Sequence, residues 1–315
     1  MATALTATSN KTPETGEVGV AKTLFRGMNK EECKHQYKCS SWSSRTLDSE
    51  QILQQFCKVT THESQEAYKT IPCDKDIKYG NRERERLDIF VSDSLPADAP
   101  VFVFVHGGYW IHEDYTSYAL MVPNLTSAGT VVVVVEYSLA PEVKLEDQVE
   151  QVQRAVAYVC EWAKQRGSRG VYVSGHSAGG HLTAMCMTQP HDSYHIIKGV
   201  IPMSGIYDVR PITYTSVADT MPLTEEYAWE QSPMKQIKAV IEGCRDKKVL
   251  VLLGGDESPE FKRQSHEFNK SLTDGGITSQ YVELAGEDHF SLIESMCKRE
   301  SALSVAVLTF MGLQV

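Results

Sequence analysis

The chain has 315 residues, 42% of them hydrophobic and 23% charged, a balance that suits a globule with a sizeable core. A net charge of −10 argues against nucleic acid as a partner, because phosphate binding needs clustered Lys and Arg. No run approaches the ~18 apolar residues of a membrane helix, and the first twenty residues lack the basic start and apolar middle of a secretory signal.

Residues 1–24 contain little that could be buried and read as a flexible tail, leaving 25–315 as one expected α/β domain. The stretch 25–75 reads as helical and wraps the domain. "LDIFV" at 87–91 follows a run of alternating charge and suits a sheet edge, whereas "VFVFV" at 101–105 and "VVVVV" at 131–135 are apolar throughout. Continuous apolarity marks strands covered on both faces of a parallel sheet. Residues 145–166 place Leu145, Val149, Val152, Val156 and Val159 on one helical face and stop at Gly167. Further strands follow in "VYVS" (171–174), "GVIPMS" (199–204), "VLVLL" (249–253) and "YVEL" (281–284). Strands alternating with helices predict a mostly parallel sheet flanked by helices. The segment 206–245 is too long for an ordinary connection, and it is expected to cover the C-terminal edge of the sheet, where ligands bind.

Eight cysteines without a Cys-x-x-Cys pair are expected as free thiols of a reducing cytosol. His191 and His195 are four apart, but Pro190 and Asp192 spoil the helix that a metal pair would need. Neither a metal nor any other cofactor is expected.

Chemistry concentrates in "VYVSGHSAGGHLTAM", where Gly175-His176-Ser177-Ala178-Gly179 joins a strand to an apolar helix. That context fits a sharp turn presenting Ser177 as a nucleophile, with the helix N-terminus behind it. The oxyanion formed by serine attack needs preorganised N–H donors. Ala178 supplies one, and Gly107 and Gly108 of "VFVFVHGGYW" supply the others. His106 shapes that loop, while Tyr109, Trp110 and His176 are expected to wall the substrate pocket. The base is expected late in the chain, and His289 in "AGEDHFSLIE" follows the last strand. Its rival His266 lies within a helical pattern. The acid is expected to be Asp256, just past the strand "VLVLL", in preference to Asp208, Glu257 or Asp288.

Together these residues resemble the α/β-hydrolase fold and its hormone-sensitive-lipase-like branch, although Tyr109 stands where that branch has a third glycine in "HGGG". Tyr137 to Glu142 is similar to the branch's Tyr-x-Leu-Ala-Pro-Glu. The resemblance is closer to the kynurenine formamidase (arylformamidase) family, which shows "HGGYW", "GHSAG-HL", "SGIYDLRPL", "DSPEFxRQS" and "DHFxIIE" in this order. Here these stand at His106–Trp110, Gly175–Leu182, Ser204–Ile212, Asp256–Ser265 and Asp288–Glu294, and Gln36, Tyr37 and Trp42 match a further N-terminal motif. The chain differs in "DESPEF", where Glu257 precedes Ser258 as an extra residue. The resemblance covers residues 24–313. It implies cytosolic, metal-free hydrolysis of N-formyl-L-kynurenine to kynurenine and formate, with entry to the nucleus left open.

The expected partner is therefore a small molecule, with neither nucleic acid nor membrane involved, and a homodimer remains open. Two other readings stand beside this one. A general short-chain carboxylesterase would share the fold and the serine, and a non-catalytic binding homologue would usually have lost the serine or the histidine.

Overall fold

The structure is a computed structural model describing residues 24–189 and 191–314. The expected tail at 1–24 lies outside the described residues except for Leu24. Eight strands form one sheet: β1 Cys73–Lys78, β2 Arg86–Phe90, β3 Val101–Val105, β4 Val131–Val135, β5 Val171–His176, β6 Ile197–Met203, β7 Lys248–Gly254 and β8 Thr278–Leu284. Their order is β1-β2-β4-β3-β5-β6-β7-β8. β1 and β2 pair antiparallel, and every pairing from β4 to β8 is parallel. The sheet is thus mostly parallel, with its antiparallel edge one strand wider than the sequence suggests. Polar β1, "CDKDIK", has almost no buried residue and so leaves no apolar signal.

The helices that frame the site are α1 Lys30–Gln36, α2 Ser49–Thr70, α3 Val122–Ser127, α4 Leu145–Arg166 and α5 Ala178–Cys186. Asp48 and Gln51 close a capping box at the start of α2. α4 ends where expected, at Gly167 with φ +82°.

Packing follows the two-residue period of the strands. Val101, Val103, Val105 and the odd-numbered valines of β4 face the core that includes Val149, Val152 and Val156 of α4. Phe102, Phe104, Val132 and Val134 face the opposite core, against Leu303 and Val307. Each fully buried valine contributes roughly 1.5–2 kcal/mol relative to exposure, which explains why these strands are apolar throughout. Among the described residues no helix is long and apolar enough to cross a membrane.

The sheet order reverses beside β3, which has β4 on one side and β5 on the other. Such a reversal opens a crevice at the carboxyl ends of the strands. The loops after β3, β5, β6, β7 and β8 all leave from that edge, because these strands run parallel.

Candidate active site

Five loops meet at this edge, and the sharpest turn follows β5. Ser177 sits at φ +57° and ψ −118°, a conformation that a non-glycine residue adopts only when its surroundings enforce it. Two glycines make it fit. A Cβ on Gly179 would lie 2.0 Å from the carbonyl oxygen of Val105, and one on Gly175 would lie 2.3 Å from that of Gly179. The Ser177 N–H donates to Met203 O at 2.9 Å. Ala178 opens α5, so its amide belongs to the first turn, which lacks intrahelical acceptors.

The loop after β3 lies against this turn. A Cβ on Gly107 would meet the carbonyl oxygen of His176 at 3.0 Å and Ser177 Cβ at 3.2 Å. Gly108 has φ +100°, and Tyr109 and Trp110 also take positive φ. His106 is buried beneath the loop. Its Nδ1 meets Gly107 O at 2.9 Å, its Nε2 meets Glu136 Oε1 at 3.2 Å, and its ring stacks on Tyr137. It therefore shapes the loop, as the sequence predicts, with both ring nitrogens occupied.

His289 follows β8 and is buried. Its Nδ1 meets Glu257 Oε2 at 2.9 Å and Oε1 at 3.1 Å, and Ser204 Oγ donates to the same Oε1. The carboxylate placed on His289 is thus Glu257, where the sequence reading expected Asp256. Asp256 is only half-buried and accepts a hydrogen bond from Ser44. The rival Asp208 is held by Arg210, with Oδ2 at 2.7 Å from Nη2. Asp288 pairs with Arg45 at 2.7 Å. Burial would lower the basicity of His289, but the Cys39 sulfur and the Glu257 carboxylate outweigh it and hold the imidazole well above its ordinary value. The neighbouring His176 ring, 4.5 Å away between centroids, moves the other way under burial and the His289 charge.

Ser177, His289, His176, Gly108 and Tyr109 open onto one cavity of about 330 Å³. The rest of its wall includes Tyr37, Cys39 and Phe56 from the N-terminal part of the chain, with Tyr118 and Phe290 beside them. This corrects two expectations. No residue of 206–245 reaches the cavity; that segment instead helps line a separate groove with Pro141 and Lys144. Trp110 is not a wall either, because it is wholly buried and donates from Nε1 to His181 Nδ1 at 3.2 Å. Tyr109 does line the cavity, and its hydroxyl joins the loop after β3 to the N-terminal wall by donating to Tyr37 O and meeting Cys39 Sγ.

A hydroxyl at a strained turn, a carboxylate-held imidazole and adjacent glycine amides make a constellation suited to acyl transfer. Residues 102–290 match the α/β-hydrolase fold family. A kynurenine formamidase of Danio rerio is 33% identical over 91% of this chain and 98% of its own. That of Salmo salar is 30% identical over the same shares. The chain belongs to the kynurenine formamidase family of α/β hydrolases. A solved structure from Silicibacter sp. tm1040 has the same fold, with a TM-score of 0.73 and 27% identity over 88% of this chain and 99% of that one.

The sequence reading ranked Glu257 below Asp256 and missed the N-terminal wall. Glu257 stands one residue beyond Asp256, and a single residue of loop decides which carboxylate turns inward. The wall had one available signal: Tyr37 lies in a motif shared with the family.

Proposed function

We propose that the chain hydrolyses N-formyl-L-kynurenine to L-kynurenine and formate. The observation that supports it most is the pairing of His289 with Glu257 in the same cavity as the strained Ser177. In this reading Ser177 Oγ attacks the formyl carbon while His289 takes its proton, and the Glu257 carboxylate stabilises the resulting imidazolium. The amides of Gly107, Gly108 and Ala178 receive the oxyanion, each contributing about 3 kcal/mol in the transition state. His289 then returns the proton to the aniline nitrogen, which leaves as L-kynurenine. Water, deprotonated by the same imidazole, attacks the formyl ester on Ser177 and releases formate.

Two features favour a formyl group on an aromatic amine. Bulky Tyr109 and His176 line the cavity together with Ser177, which suits the smallest acyl group. Phe56, Tyr118 and Phe290 offer aromatic faces for the leaving ring. Measuring kcat/KM for N-formyl-L-kynurenine against p-nitrophenyl butyrate tests the reading. Preference for the formamide supports it, and equal or better turnover of the butyrate ester would replace it with a general esterase.

The same proposal places the protein in the cytosol, where reducing conditions keep thiols such as its eight free cysteines unpaired. Subcellular fractionation that found it in a secretory compartment would refute this.

A further inference from the structure

Apart from its histidines, the cavity around Ser177 is lined by neutral side chains with two exceptions of opposite charge, Lys38 and Glu113. Among the described residues neither forms an ion pair. Arg84 reaches only the backbone carbonyl of Glu113, and its charge is engaged by Glu136 at 2.9 Å. The ordinary explanation for two such residues is a solvated rim. Lys38, which is exposed, could satisfy it, but Glu113 does not.

Glu113 is half-buried and holds φ +82°, left-handed backbone that a residue with a side chain avoids. Its chain is pressed onto the oxyanion loop, since a Cβ on Gly108 would lie 2.6 Å from Glu113 Cγ. It lines the same cavity as Tyr118 and Cys57, and after burial itself its charge acts to raise the pKa of each. A carboxylate held by strained backbone against the loop after β3, with no ion-pair partner among the described residues, is arranged for a cation brought by a ligand.

We infer that Glu113 and Lys38 together recognise the α-amino acid head of the substrate, Glu113 taking the α-ammonium and Lys38 the α-carboxylate. The inference rests on the proposed formamidase reading and deepens it: the preferred substrate class is an aryl formamide that carries a zwitterionic amino acid. The head lies away from the bond being cleaved, so these two residues set specificity and take no part in the chemistry. Their contribution falls mainly on KM.

The test uses the full chain and four aryl formamides: N-formyl-L-kynurenine, its analogue without the ammonium, its analogue without the carboxylate, and 2′-formamidopropiophenone, which lacks both. Wild-type kcat/KM for the zwitterion should exceed that for the propiophenone by about tenfold or more. Glu113→Gln should reduce this ratio, chiefly through KM. The loss of Glu113 charge and the loss of substrate ammonium should together cost no more than either alone. Lys38→Met should behave likewise toward the carboxylate, and Lys38→Arg should restore the preference. Strictly additive losses, or a Glu113→Gln variant that slows all four substrates by one common factor, would overturn the inference. So would a wild-type enzyme that cleaves the propiophenone as well as the zwitterion, although formamidase chemistry would then stand. If no formamide were cleaved at all, the proposed function itself would fall and this inference with it.

Discussion

Nδ1 of His289 meets both carboxylate oxygens of Glu257, at 2.9 and 3.1 Å, and Ser204 steadies that carboxylate from the other side. In the proposed mechanism a carboxylate so placed fixes the imidazole tautomer and leaves Nε2 to exchange protons with Ser177. Glu257→Gln should therefore lower kcat by about 10³- to 10⁴-fold, whereas Asp256→Asn should leave it within a few-fold of wild type. Steady-state assays of the two variants decide between the carboxylates. A more damaging Asp256→Asn would reverse the assignment.

Ser177→Ala removes the attacking oxygen and little else, so kcat should fall by about 10⁴-fold or more with melting temperature almost unchanged. A burst of aniline product in the first turnover, seen in the wild type and absent from the variant, would identify the formyl-enzyme.

The pH profile carries the sign of the His289 environment. Cys39 and Glu257 outweigh burial and raise its pKa, so the unprotonated base is lost at a higher pH than for a free imidazole. The acid limb of kcat/KM should accordingly lie to the alkaline side of the ordinary histidine range. Removing the negative charge in Glu257→Gln should move that limb to lower pH while the plateau drops. A limb that stayed in place would separate it from His289.

Arg45 ties the N-terminal wall to the catalytic loop, pairing with Asp288 at 2.7 Å and Glu294 at 3.2 Å. Asp288 is only 2% exposed, so Arg45→Ala removes its counter-charge while leaving the hydrogen bonds from Ser43 and the Phe290 and Ser291 amides, at a cost of about 3 kcal/mol. Calorimetry should record a melting temperature roughly 5–10 °C lower. An unchanged melting temperature would show that water reaches Asp288 freely.

The placement of Ser177 and His289 at one cavity was legible in the sequence because the signals are local: a glycine-flanked turn between strand and helix, and a histidine in the loop after the last strand. The parallel core was legible for the same reason, in runs of valine and phenylalanine. The acid was harder, since Asp256 and Glu257 leave β7 side by side and only the course of Gly254-Gly255 turns the second one inward. Trp110 was misread because a large aromatic beside two glycines resembles a pocket wall, yet its own φ of +64° turns it into the core beside His181. The cavity wall at Tyr37 and Cys39 has no helical or strand period to reveal it. Its position depends on contacts such as Tyr37 with Gln264, far along the chain.

The bonds from Arg45 to Asp288 and Glu294 span 243 and 249 residues. During synthesis the part of the chain that closes the cavity emerges first, and its anchors emerge nearly last. The sheet can begin assembling as its strands leave the ribosome, but the binding pocket is incomplete until the carboxyl-terminal loops arrive. If Ser177 and His289 act as proposed, a nascent chain carrying Ser177 has its nucleophile turn before it has either a base or a closed chamber. Hydrolysis then waits until Arg45 meets Asp288 and Glu294.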